Sequence, residues 1–533
     1  MLIGYKILFF CFPFSLCFGF NLQDMSVEEK VGQLLMVHFC GETVNADAVT
    51  LVQDTKVGGV IYYNWSNGLH SPEQVRVLSA DLQKLTLKNQ MQIPLLIAVD
   101  QEGGVVSRCK CGFSSFPGNK ALAMAGDVNL AEKAAQITGE ELLSVGINMN
   151  LAPVVDINSN PRNPVIGIRS FGSTPEVVVA FGEKVLHGYA KAHVIATLKH
   201  FPGHGDVSVD SHKELPVIYK SKEELERDDL IPFAKLASSA DAIMTAHILV
   251  PALDSENCAT LSKNILNYLK EEIGFRGVIV SDSLVMEGVL KKCHTVDEAA
   301  IQALNAGCDL LILGGKFLSS ASTGFELTSK DVQRICCSIV CAVKEGRIEE
   351  ERLNEAVEKI LTLKTRFSKK FCGVSAQDGR YVAKQIASLS LREVERDGSL
   401  IGDISEKKLF VVAPHVLNRS ISETALLHLG KDTDSFFFNS LNILKEEIED
   451  VRQRAEMADV IVVFSFNAWK SSSQMSLIQA LLDIGKPTVF VTTGESLDST
   501  LFPKAHLIFN TSSPSTPSIQ AVCDRLEQLT SLG

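Results

Sequence analysis

Along residues 30–315 the chain alternates between short, largely apolar runs and longer stretches whose apolar positions recur every three or four residues. Eight such runs stand at 33–38, 57–63, 94–100, 148–156, 194–200, 242–247, 277–282 and 310–313. Helical periodicity fills several of the gaps, at 130–143, 175–190, 222–237, 261–273 and 295–306. A strand that is apolar at nearly every position is buried on both faces, as in a parallel sheet covered by helices. Eight such units over about 300 residues predict a (β/α)8 TIM-type barrel across 25–365. A doubly wound open sheet is the alternative, but Gly58-Gly59 and Gly314-Gly315 lack the spacing of a dinucleotide-binding turn.

Helices at 330–344 and 350–365 end this region, and the polar, basic stretch within 366–381 reads as a linker. A helix at 382–394 follows, then strands at 408–413, 435–438, 460–464, 488–492 and 507–510, with helices at 440–457 and 475–484 between them. The pattern predicts a smaller α/β/α sandwich over 382–533. Its strand ends carry little chemistry, Thr492-Thr493-Gly494-Glu495 being the one candidate, so a structural or docking domain is expected.

The first region differs in this respect. Asp100, Asp156, Lys199-His200, His247 and Asp282 all fall at or just past the C-terminal ends of their strands. That rim is where (β/α)8 enzymes place catalysis. One polar residue at a strand end serves as well for a cap or turn; five strands of eight ending this way point to a site.

Composition narrows the partners. Of 533 residues, 51 are Lys or Arg and 63 Asp or Glu, a net charge of −12, and no basic run exceeds two or three residues. A nucleic-acid or anionic-lipid partner is therefore not expected. The apolar segment 7–20, preceded by Lys6 and interrupted by Pro13, is too short to span about 30 Å of hydrocarbon. With Cys17 and Gly19 before a cut ahead of Phe20, it reads as a signal peptide over 1–19, making the protein exported, periplasmic or secreted. An N-terminal helix packed on the core of a cytoplasmic protein is the alternative. Two of the 13 cysteines, Cys11 and Cys17, precede the cut; the other eleven show no disulfide spacing and read mostly as small core hydrophobes.

The densest chemistry lies in Lys199-His200-Phe201-Pro202-Gly203-His204-Gly205-Asp206, followed by Asp210-Ser211-His212. Pro and Gly make it a loop. A zinc site on His200, His204 and His212 would want helical spacing, which Pro202-Gly203 forbids, so no metal is expected. Acid/base chemistry fits better, because Asp210 and His212 can lie together on a turn, where the carboxylate orients the imidazole. A hydrogen-bonded rim loop without catalysis remains open at this point. Asp282, in Ser281-Asp282-Ser283, adds a carboxylate facing that pair, and with it the two-group apparatus of glycoside hydrolysis.

Taken together, the long loop motif, Asp100-Gln101-Glu102-Gly103-Gly104, Leu151-Ala152-Pro153-Val154-Val155-Asp156, Arg169-Ser170-Phe171-Gly172, the His247 region and Ser281-Asp282 resemble, in order, the β-N-acetylglucosaminidase (β-hexosaminidase) branch of glycoside hydrolase family 3 in its two-domain form. The resemblance implies a retaining exo-β-N-acetylglucosaminidase of peptidoglycan turnover, cutting terminal N-acetylglucosamine from cell-wall-derived glycans. Asp282 would be the nucleophile and His212, paired with Asp210, the acid/base. Asp100, Arg108, Arg169, Lys199 and His200 would bind sugar hydroxyls, with His247 and Met286 as pocket wall. No cofactor is implied, and a monomer is expected.

The sequence departs from the family pattern at Val105, where Arg is usual, at Ile168, where an acid is usual, and at Ser283, where a second Asp is common. These departures motivate the alternative of a catalytically silent glycan-binding barrel. A glycoside phosphorylase on the same site is another, since a His acid/base leaves the site less anionic.

Overall fold

The computed structural model describes residues 22–210, 214–316, 326–367, 379–395, 401–440 and 442–530. The expected signal peptide at 1–19 and the expected acid/base His212 lie outside the described residues.

All eight apolar runs become strands: β1 (Leu35–Val37), β2 (Gly59–Tyr62), β3 (Leu96–Val99), β4 (Met149–Asn150), β5 (Ile195–Phe201), β6 (Ala242–Thr245), β7 (Val278–Val280) and β8 (Leu311–Leu313). Every residue in them is buried, as a parallel barrel wall requires. The order is β7-β6-β5-β4-β3-β2-β1-β8, parallel throughout. The ring closes through a parallel bridge between Val280 and Leu310, with Ser281 N donating to Leu310 O at 2.9 Å.

Helices cover the outside, and local chemistry starts them. Ser71 caps Pro72–Thr86, Asp127 caps Val128–Ser144 and Thr295 caps Val296–Ala306, each side chain accepting a free backbone N–H of the first turn. Two expectations for the barrel need correction. The helix expected over 222–237 is two, Lys222–Arg227 and Ile231–Leu236, because Pro232 cannot donate backward and its ring crowds the carbonyl of residue 228. The run at 148–156 pairs as a ladder only at Met149–Asn150, since Pro153 removes a donor; pairing resumes as a single bridge from Val154 to Lys199.

The second sheet holds β9 (Arg392–Glu395), β10 (Lys408–Pro414), β11 (Asp432–Phe438), β12 (Val460–Ser465), β13 (Thr488–Thr492) and β14 (Leu507–Asn510), in the order β9-β14-β13-β12-β10-β11. Only β9 runs antiparallel to its neighbour. Alternate side chains sort to opposite faces: Leu409, Val411, Val462 and Phe509 join one apolar cluster, while Phe410, Val412, Val463 and Ile508 join another. This is the α/β/α layering expected. The helix expected over 382–394 ends at Ser390, and 392–395 become edge strand β9. That helix, Arg380–Ser390, buries Val382, Ala383 and Ile386 in the barrel's own cluster.

Among the described residues ten cysteines are free thiols, six of them buried and four exposed. No described helix is long and apolar enough to cross a membrane.

Candidate active site

At the C-terminal mouth of the barrel lies a cavity of about 380 Å3. Asp100, Arg108, Arg169, Lys199, His200, Asp282 and Met286, all singled out by sequence, line it. They come from four different strand ends, so only closure of the barrel brings them together.

Directly after β3 the chain makes a small hairpin, Gln101–Gly103 against Val106–Ser107. Gly104 turns it with φ +58°, and a Cβ there would lie 2.7 Å from the Pro117 carbonyl, so only glycine fits. The hairpin presents Glu102 inward and delivers Arg108 to the rim. Arg108 Nη2 lies 3.8 Å from Asp100 Oδ2, and its Nε is buried with no protein acceptor.

Glu102, which sequence reasoning quoted in a motif but gave no role, is the hub. Arg169 grips it fork to fork, Nε to Oε2 at 2.9 Å and Nη2 to Oε1 at 2.8 Å. Lys199 Nζ lies 2.7 Å from Glu102 Oε1 and 2.8 Å from Asp100 Oδ1. Burial opposes charge on Glu102, yet Arg169 and Lys199 outweigh it and hold the carboxyl far below the usual glutamate range. Burial likewise works against the Lys199 ammonium, and Asp100 and Glu102 overcome it. The result is a fixed set of buried donors and acceptors, suited to vicinal hydroxyls.

Asp156, at the rim after β4, organises the next sector. His200 Nδ1 donates to Asp156 Oδ2 at 2.7 Å, and the amides of His200 and His204 donate to Oδ1 at 3.1 and 2.7 Å. Burial opposes the Asp156 charge, but His200 outweighs it and lowers the pKa. Arg169 Nη2 stands 3.5 Å from His200 Nε2. His204 is buried beside His200 and its pKa falls to about 4, chiefly through burial.

Asp282 follows β7 and is half-buried on the cavity wall, its Oδ1 accepting the Ser283 amide at 2.7 Å. His247 does not line the cavity, against the expectation that it forms pocket wall. Both its ring nitrogens are engaged behind that wall: Nε2 donates to the Ser283 carbonyl and Nδ1 is hydrogen-bonded to Thr260 Oγ1, each at 2.8 Å. It therefore steadies the turn that carries Asp282. Asp210 is half-buried on the loop beyond His204 and does not line the cavity, while its expected partner His212 is outside the described residues.

The departures from the family pattern have visible settings. Ile168 is buried in the turn Gly167–Arg169, and Arg169 takes its carboxylate from Glu102 instead of from its own neighbour. Ser283 Oγ donates to the Gly314 carbonyl. Sequence reasoning also missed the aromatic side of the mouth. Tyr63 and Trp65 stack at 4.8 Å, and Lys316 Nζ stands 4.5 Å from the Trp65 ring centre. The signal available was the Tyr62-Tyr63-Asn64-Trp65 run at the end of β2. Among the described residues no group of three His, Cys, Asp or Glu side chains is arranged to hold a metal ion.

The N-terminal domain of glycosyl hydrolase family 3 matches residues 26–363. A β-hexosaminidase A of Pseudoalteromonas piscicida is 31% identical over 81% of this chain and 78% of its own length. A β-hexosaminidase of Pseudomonas aeruginosa is 36% identical over 52% of this chain and 80% of its own. A solved family 3 β-N-acetylglucosaminidase from Paenibacillus sp. str. FPU-7 superposes with a TM-score of 0.84 at 34% identity, covering 95% of this chain and 97% of that one.

Proposed function

The chain belongs to glycosyl hydrolase family 3 and is a glycoside hydrolase of the β-hexosaminidase kind, and on that premise we propose that it is a retaining exo-β-N-acetylglucosaminidase using Asp282 as nucleophile. The observation that carries the reading is the cavity itself. Asp282 lines it together with Asp100, Arg108, Arg169, Lys199 and His200.

In this reading the array holds the hydroxyls of a terminal N-acetylglucosamine with its anomeric carbon toward Asp282. The Asp282 carboxylate attacks that carbon while His212, oriented by Asp210, protonates the departing oxygen. A covalent glycosyl-enzyme results. Water, deprotonated by the same His, then releases the sugar with its configuration retained. Glycans derived from cell walls, N-acetylglucosamine joined to muramyl peptides among them, are the natural substrates proposed. An exported location rests on the sequence of residues 1–19 alone.

The test is turnover of an aryl N-acetyl-β-glucosaminide by the purified chain lacking residues 1–19, followed by NMR of the first-formed sugar. The β-anomer as first product is expected. No turnover between pH 5 and 8, or the α-anomer first, would overturn the reading.

A further inference from the structure

One loop between β4 and Arg169 carries three asparagines, Asn158, Asn160 and Asn163, to which the chemistry above assigns no part. Two of them face the loop that leads to Asp210. Asn163 Nδ2 donates to the His204 carbonyl at 2.8 Å, and Asn160 Nδ2 to the Val207 carbonyl at 3.1 Å. Gly205 permits this closeness, since a Cβ there would lie 1.7 Å from the Ile157 carbonyl oxygen.

The third faces the other domain. Asn158 Nδ2 donates to Oε1 of Glu495 at 3.3 Å, and Lys470 Nζ donates to the Pro164 carbonyl at 2.9 Å. The second domain holds both groups firmly. Asp498 accepts from Ser465 Oγ, Ala468 N and Trp469 N at 2.8, 2.8 and 3.1 Å, which fixes the turn carrying Lys470. Asn467 Oδ1 accepts the Glu495 amide at 3.3 Å. Glu495 is only 7% exposed, and its Oε1 would lie 3.3 Å from a Cβ on Gly167, two residues before Arg169. A carboxylate buried at a domain junction costs free energy unless it is partnered, and here its partner is the barrel loop.

From these contacts we infer that Glu495 and Lys470 are positioning residues for the barrel's reaction: they brace the 157–167 loop from the second domain, and through Asn160 and Asn163 that loop holds the 203–210 segment that delivers the acid/base. The inference rests on the assignment of Asp210 and His212 made above. It gives the second domain a part in catalysis without supplying any group that touches substrate. A loop displaced by about 1 Å can cost a hundredfold in rate, so bracing at this distance is enough. Electrostatic attraction between Lys470 and Asp210 acts in the same direction.

The test uses the leaving group as its probe. Glu495→Ala and Lys470→Met are compared with the parent chain on two N-acetyl-β-glucosaminides. A 2,4-dinitrophenyl group departs without protonation, whereas an alkyl group needs the acid. The expected result is a fall in kcat/KM of about tenfold or more on the alkyl glycoside and of less than about twofold on the dinitrophenyl one. Glu495→Gln, which keeps an acceptor for Asn158, should restore the alkyl rate. Equal losses on both substrates, or no loss on either, overturn the inference. Asp210→Ala separates the two levels. If it shows no dependence on leaving group, the acid/base assignment falls and the bracing role with it. If it shows the dependence while Glu495→Ala and Lys470→Met do not, bracing alone is wrong. Should Glu495→Ala fail to fold, as judged by its melting curve, Asn158→Ala removes the same contact from the barrel side and is held to the same criteria.

Discussion

Glu102 and Arg169 meet fork to fork at the barrel mouth, with N–O distances of 2.9 and 2.8 Å, although 67 residues separate them in sequence. Their side chains are 2% and 14% exposed. Lys199 shares the same carboxylate, so a single glutamate fixes two of the cations assigned to substrate.

Removing that hub should unsettle both cations. Glu102→Ala is expected to cost about 3–5 kcal/mol, because it leaves buried charges without their partner. Glu102→Gln, the gentler change, should raise KM more than it lowers kcat. The pH dependence has a definite sign. The folded-state pKa is lowered, so the stabilisation is complete above the unfolded glutamate value of about 4.3 and is lost as pH falls below it. Urea titrations should show the gap between parent and Glu102→Gln narrowing from pH 6 to pH 3; a gap that widens would contradict the assignment.

Asp156→Asn probes the tautomer of His200. The carboxylate accepts from His200 Nδ1, whereas an amide nitrogen in its place would donate to that atom and move the ring proton to Nε2, toward Arg169. The variant should fold, since Asn Oδ1 can still accept the two backbone amides. Its kcat/KM should fall by about tenfold to a hundredfold. Nitrogen-15 NMR of the imidazole reads the tautomer directly, and an unchanged tautomer would contradict the argument.

Lys364 offers a test of the barrel floor, remote from the mouth. It is buried, donates to Gln33 Oε1 at 2.8 Å, and burial lowers its pKa to about 7. Here the folded chain binds fewer protons than the unfolded one between about pH 7 and the unfolded value of about 10.4, so this residue makes stability rise with pH across that window. Below pH 7 the full penalty of burying the ammonium applies. Lys364→Met should therefore stabilise the protein by about 2–4 kcal/mol at pH 6, and the gain should shrink toward pH 10. Thermal melts at pH 6, 8 and 10 check the trend.

Much of the barrel was legible because its strands are buried on both faces and leave an unbroken apolar signature. Asp100, Lys199, His200 and Asp282 were legible for the converse reason, as polar residues ending such runs. Glu102 was not, since one carboxylate in a Gly-rich turn looks the same whether it faces solvent or two distant cations. His247 carries the same ambiguity: a histidine ending β6 can look into the mouth or, as here, brace the neighbouring strand's turn from behind. The role of Glu495 depends on how two domains meet, which no periodicity within either records. The break at Pro232 could have been read from the sequence, because proline there forbids a continuous helix.

In the proposed mechanism Asp282 forms the covalent bond to the sugar. Asp282→Ala, assayed on an aryl N-acetyl-β-glucosaminide with and without sodium azide, tests it most directly. Turnover is expected to fall by about a thousandfold or more without azide, with azide-dependent release of the α-glycosyl azide, because the small anion attacks from the face that the carboxylate has vacated. Turnover near that of the parent chain, or a β-glycosyl azide as the product, would contradict it.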